Sequence, residues 1–173
     1  VDEATKPAEA DLASSVTISI GGFQNAIAEA VGRAQPLGAQ AGDELRLVTS
    51  NSMAAGNAPE GAAGMVETNV NIAAVTMNGD AITSCVIDAV QAQVSFDGQG
   101  QLLTDLSAPV PSKNDRGADY GMGAVSSIGK EWNEQAAAFA AYVTGKTLDE
   151  VAGIAVDEAT KPAEADLASS VTI

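Results

Sequence analysis

Two clusters of side chains hold most of what this chain could use for chemistry. The loop Lys113-Asn114-Asp115-Arg116-Gly117-Ala118-Asp119-Tyr120-Gly121-Met122 sets two of only 8 Lys+Arg beside a tyrosine and two glycines. Bases, a ring and a pliant backbone together can take an anion or a planar ring, and the competing reading is an ordinary solvated connection. Trp132 lies a little further on, behind Lys130-Glu131. If Tyr120, Met122 and Trp132 share one cleft they are the stacking candidates; otherwise Trp132 is an anchor of the core. The second cluster is Asp11-Leu12-Ala13-Ser14-Ser15-Val16-Thr17, in which three hydroxyls and a carboxylate sit within seven positions. Hydroxyls at such a joint commonly bond the backbone of a neighbouring helix end, so a capping turn is one reading.

What the chain lacks is as informative. It has no His, which excludes Ser-His-Asp and Cys-His catalysis, imidazole zinc sites and a histidine pH switch. One cysteine, Cys85, excludes an internal disulfide and a thiolate cluster. Strand alternation places Cys85 with Ile87 and Ala89 as a small buried apolar residue. Asp97-Gly98-Gln99-Gly100 resembles half a calcium loop but reads better as a turn. The pairs Asp2-Glu3, Asp149-Glu150 and Asp157-Glu158 read as solvated surface. Neither a catalytic group nor a metal site is expected, and the residues alone call for no bound cofactor. The formal net charge of −15 repels polyphosphate, so nucleic acid and anionic membrane surfaces are poor partners. No apolar run is long enough to insert into a bilayer. An acidic chain, 46 % hydrophobic but only 3 % aromatic, fits an extracellular or cell-surface module with one core.

The elements that must position these groups follow from periodicity. Glu44–Ser50 alternates and reads as a strand; Asn51–Met65, with three glycines and a proline, reads as a loop. Glu67–Met77 and Asp80–Ala89 flank Asn78-Gly79, the dipeptide of a type I′ hairpin. Gln91–Phe96 and Gln101–Leu106 are expected to make a second pair of strands around the 97–100 turn. Ser126–Thr144 carries Ile128, Trp132, Gln135, Ala136, Phe139 and Val143 at helical spacing, with Ser126 or Ser127 as N-cap and a Lys130–Glu134 pair. Thr147-Leu-Asp-Glu150 is a capping box opening a short helix to Gly153. Val16–Ile20 looks extended, and Gly22–Ala34 repeats Phe23, Ile27 and Val31 at four-residue steps. The prediction is an α+β fold: an antiparallel sheet of about five strands followed by two or three helices on one face, in a tandem-repeat frame.

Self-similarity supplies that frame. Residues 1–18, VDEATKPAEADLASSVTI, recur without a change as residues 156–173. An identity of this length points to a window cut from a tandem array, with a circular permutant carrying a duplicated joint as the rival origin. Residues 1–34 then read as the tail of the preceding repeat, holding its last helix, or as a permuted C-terminal part. Ala34–Gly42 reads as a linker, and 42–173 as the main domain. One copy of the repeated segment fills its place in the domain; the other is left for a neighbour. The expected partner is therefore self, in head-to-tail contacts that build rings or filaments.

The stretch from Asp11 to Thr17, with the amphipathic helix behind it, resembles the signature of FMN-binding domains of cell-envelope flavoproteins. In that family an Asp-x-x-Ser-Gly-Ala-Thr stretch precedes a helix, and its Thr takes FMN through a phosphoester. Asp11, Ser14 and Thr17 match, and Asp166, Ser169 and Thr172 repeat the match; Ser15 and Val16 stand where the family has Gly and Ala. The hairpin of Val70–Ala89 is similar to the family's sheet. The resemblance implies an FMN-binding-type fold, with Thr17 or Thr172 as the attachment point of FMN and Asp11 and Ser14 beside it. Three functions stay open: a non-enzymatic structural or interaction repeat, a covalent FMN electron carrier, and a small-molecule-binding module using Tyr120, Met122 and Trp132.

Overall fold

The computed structural model describes residues 1–57 and 63–172. The chain divides into two compact units, Val1–Pro36 and Leu37–Ile173.

The smaller unit is built from a turn and two helices. Asp2 closes the turn: its Oδ1 accepts the Lys6 amide at 2.8 Å, and its own amide donates to the Lys6 carbonyl. A one-turn helix, α1 (Ala10–Ala13), ends at Ser14, whose hydroxyl donates back to the Asp11 carbonyl. The expected extended piece Val16–Ile20 joins no strand. The next helix, α2 (Gly21–Gly32), forms where the four-residue apolar spacing requires it, and its start is tied down by the Ile20 amide donating to the Thr5 carbonyl at 2.9 Å. Phe23, Ile27 and Val31 lie along it, all exposed, and α2 buries no residue.

The larger unit opens with a sheet of three strands, β1 (Glu44–Gly56), β2 (Gly64–Asn78) and β3 (Ala81–Phe96), antiparallel and in chain order. The expectation of five strands is therefore corrected to three among the described residues. Two of the expected strands are one: nothing between Ala89 and Gln91 can turn the chain, and Val90 pairs with Val70 in an unbroken ladder. The expected strand 101–106 shrinks to a single bridge, Phe96 with Leu102. An Asp105 turn, held by the Ser107 amide and hydroxyl, ends it, and Pro109 and Pro111 supply no ladder donors beyond. At the other end the expected loop from Asn51 is strand as far as Gly56; positions 58–62 lie outside the described residues.

The hairpin is where it was expected, shifted by one residue. Asn78 still pairs with Ala81, so the loop is Gly79-Asp80, and only Gly79 has positive φ, +58°. That is the pattern of a II′ turn, with Gly first, rather than the I′ turn that Asn-Gly suggests. A bulge compensates: Thr76 faces Ser84 while Met77 faces Ile82, leaving Thr83 as the extra residue. The Thr83 hydroxyl donates to Asp43, which also accepts from Asn78 and the Gln40 amide, and these bonds hold the Asp43 carboxyl below its ordinary range. Gly38 packs so close to the Thr83 carbonyl that a Cβ would sit 2.5 Å from its oxygen, and its φ is +116°, so no side chain is tolerated there.

Helices cover one face of β3, beginning with the one-turn α3 (Lys113–Arg116). The principal one, α4 (Trp132–Val143), begins six residues later than the periodicity suggests, because Gly129 takes φ +66° and breaks the turn after Ser126. Glu131, not a serine, caps it, in a box with Glu134 whose carboxylate accepts the Glu131 amide at 2.8 Å; Glu134 is thereby used locally rather than on Lys130. Buried Ala136 and Ala140 let α4 come close to the sheet. Ala140 and Val143 cluster with Ile82 and Cys85, and Trp132 and Ala136 with Ala89. Cys85 is thus a buried apolar residue, as alternation implied, and burial pushes its thiol pKa up. The short helix α5 (Leu148–Ala152) carries both bonds of the expected Thr147/Glu150 capping box and stops at Gly153.

Candidate docking site for the repeated segment

The repeated sequence is seen twice, and its local structure is the same both times. Asp157 closes the same turn as Asp2, with its Oδ1 accepting the Lys161 amide at 2.9 Å. Thr5 and Thr160, the only non-glycine residues with positive φ among those described, hold +57° and +61°. A β-branched residue in that region is strained, so its recurrence shows a turn dictated by the Asp box around it. A one-turn helix, α6 (Ala165–Ala168), repeats α1, and Ser169 donates to the Asp166 carbonyl as Ser14 does to Asp11, both at 2.7 Å.

The surroundings differ. In the second copy Leu167 is 2 % exposed and Val171 3 %, whereas Leu12 in the first is 43 % exposed and Val16 only half-buried. What receives the second copy is α4. Gln135, fully buried on the apolar face of that helix, turns its Oε1 to Thr172, accepting from the Thr172 amide at 2.7 Å and hydroxyl at 3.1 Å. Its Nε2 is satisfied separately by the Lys130 carbonyl at 3.0 Å and the Ser126 hydroxyl at 3.2 Å, with the Met122 sulfur at 3.7 Å. A buried amide with both ends engaged costs little and fixes register, because a slip would orphan it. About two turns along the helix, the Tyr142 hydroxyl donates to Glu164 at 2.8 Å, which raises the pKa of the phenol. Val156 bridges Pro162, closing the segment on itself.

Between α4 and the second copy lies a cavity of about 410 Å³. Its wall is apolar: Ile87 from β3, Trp132, Ala136 and Phe139 from α4, Val151 and Ile154 from and after α5, and Val156, Thr160, Pro162 and Val171 from the repeated segment. The repeated segment therefore forms one side of the cavity.

The residues singled out in the sequence fall into separate places. Tyr120 and Met122 do come together with Trp132, packed against its cluster with Ala89 and Ala136. Of the three only Trp132 lines the cavity. The loop before them is bound to the sheet rather than loose: Asn114 donates through its side chain to the Ile87 carbonyl and through its amide to Asp88. Lys113 stands over the rings of both Tyr120 and Trp132, at 4.9 and 5.2 Å, and Arg116 stands over Tyr120 at 4.9 Å. These cations thus already face rings of the chain itself. The Tyr120 hydroxyl reaches Gln91 at 3.3 Å.

Asp11, Ser14 and Thr17 lie in the smaller unit at the end of α1, where Ser14 and Ser15 both donate to helix carbonyls and Thr17 is exposed. At Thr172 the hydroxyl and the amide both donate to Gln135. Val171, which stands where the flavin motif has Ala, is instead a buried anchor. Among the described residues no group of three or more His, Cys, Asp or Glu is placed to hold a metal ion, and no helix is long and apolar enough to cross a membrane. Sequence reasoning passed over Gln135 and Tyr142 as site residues. The available signal was a lone amide inside the stripe Trp132, Ala136, Phe139, Val143.

No family model, no curated protein and no solved structure matches the chain.

Proposed function

We propose that the chain is a non-enzymatic structural repeat of an extracellular or cell-surface protein, FMN-binding-like in outline, which assembles head to tail through its repeated segment. One observation carries this reading: a segment that is held at one place by buried Leu167 and Val171 and by the Thr172 bonds to Gln135 is offered a second time, with the same residues, at Leu12, Val16 and Thr17. A surface that accepts the one is chemically able to accept the other. The contact is heterologous, because donor and acceptor are different surfaces of each chain, and so it propagates instead of closing as a two-fold dimer. The net charge of −15 makes neighbours repel at long range, which suits a string whose units meet only at a specific apolar seat.

Light scattering on a size-exclusion column tests the reading. Head-to-tail assembly gives a mass that rises above 17.3 kDa as concentration is raised; a strict monomer throughout would refute it. The electron-carrier alternative is settled by intact mass and visible spectrum of protein from its native source. A covalent flavin on Thr17 would replace the structural reading with a redox one.

A further inference from the structure

The cavity beside α4 has a specific occupant in the chain's own sequence. In the smaller unit the residue that meets the start of α2 is Thr5: the Ile20 amide donates to its carbonyl, and a Cβ on Gly21 would lie 3.0 Å from its side chain. The counterpart of Thr5 in the docked copy is Thr160, and Thr160 lines the cavity. Carrying the geometry of residues 1–32 onto the docked copy therefore sets the first turn of α2 at the cavity rim. The helix so placed brings Phe23, Ile27 and Val31, three large apolar side chains on one stripe, all exposed where they now stand. The cavity offers a matching apolar wall in Ile87, Phe139, Val151 and Ile154. An apolar stripe left in water and an apolar hollow left open, joined by a segment already seen to dock, are complementary halves of one core.

We propose that the seat is filled by a second copy of this chain, by segment exchange. Residues 1–18 of one copy take the place of residues 156–173 in another, with Leu12, Val16 and Thr17 in the positions of Leu167, Val171 and Thr172. Thr17 then donates to Gln135 of its neighbour, and α2 lays Phe23, Ile27 and Val31 over the cavity. The inference rests on the head-to-tail reading and specifies its interface: the donor is an entire segment-plus-helix, and Gln135 reads its register. Exchange of identical elements is an inexpensive route to association, because each contact made replaces one of the same kind, and the helix adds burial that the resident segment lacks.

Hydrogen exchange on the full chain, at dilute and concentrated protein, together with light scattering of the double variant F23D/I27D, tests it. The substituted positions are exposed, so the variant keeps its fold. The expected result is that amides of 21–32 exchange at least tenfold more slowly in the concentrated sample, and that F23D/I27D loses this protection and associates at least tenfold more weakly. Association that leaves 21–32 unprotected, or that F23D/I27D does not weaken, overturns the exchange while leaving head-to-tail assembly standing. Protection of 21–32 that is independent of concentration shows the helix seated within its own chain and also overturns it. A chain monomeric at every concentration overturns both.

Discussion

Residues 1–18 and 156–173 have one sequence and one local structure but two environments. Each makes the same Asp-closed turn, the same left-handed threonine and the same one-turn helix, so eighteen residues suffice to specify that much. Burial is not specified by those residues. Leu167 is 2 % exposed and Leu12 is 43 % exposed; the second copy is packed on α4 and bonded to Gln135. Conformation here is a property of the segment; stability contribution is a property of the seat.

The comparison breaks first at its apolar anchors. Leu167→Ala is expected to cost about 2–5 kcal/mol of unfolding free energy, the range for emptying a buried leucine site, while Leu12→Ala should stay within about 0.5 kcal/mol, as exposed substitutions do. Urea denaturation of the two variants in dilute solution measures the difference. Equal losses would mean that the two copies share the work. Next comes the polar clasp. Gln135→Ala strands the Thr172 amide and the Lys130 carbonyl and should cost about 1–3 kcal/mol, whereas Gln135→Glu keeps the acceptor for Thr172 and should destabilise less at low pH than at neutral pH, since the buried acid is tolerated when protonated.

Ionic conditions sharpen the contrast further. Added salt screens the repulsion between acidic chains over distances beyond about 8 Å at physiological ionic strength, so sedimentation should show tighter self-association as salt is raised. Binding through surface ion pairs would show the opposite trend.

The smallest effect is a pH dependence that belongs to the larger unit. Glu67 accepts hydrogen bonds from Gln93, Asn69 and Gln91, which hold its carboxyl below the ordinary 4.5, and Thr147 does the same for Glu150. A depressed folded-state pKa means stability that is present above the ordinary value and is lost as pH falls through the folded one. Acid titration followed by Trp132 fluorescence should therefore show loss beginning below about pH 4.5, and Glu67→Gln should flatten that limb. The Tyr142 phenol works in the other direction: its pKa is raised by the bond to Glu164, so the contact it makes with the second copy holds below pH 10 and fails as alkali ionises it. Tyr142→Phe should remove that alkaline loss and leave the acid limb unchanged.

Much of the fold was legible where structure is local. The hairpin around residue 79, the helix carrying Phe23, Ile27 and Val31, the Thr147/Glu150 box and the buried Cys85 all follow from neighbours a few residues apart. Errors came where a single residue outweighed a periodic pattern. Gly129, in a left-handed turn, ended the expected first turns of α4, and the Asp105 turn cut short a strand whose hydrophobicity looked adequate. The site itself was half legible. Repetition singled out the segment, but not which groups receive its second copy. Gln135, Thr172 and Tyr142 meet only when α4 and the last residues are brought together from far apart in sequence, and no spacing rule anticipates that.

The most direct test of the account is the stability of a chain lacking residues 156–173, followed against protein concentration. With its own segment gone, the seat on α4 would be filled, under the proposed exchange, by residues 1–32 of another copy. The account predicts a chain that is strongly destabilised when dilute and regains stability as concentration rises, in step with its association. A truncated chain whose stability does not change with concentration would contradict it.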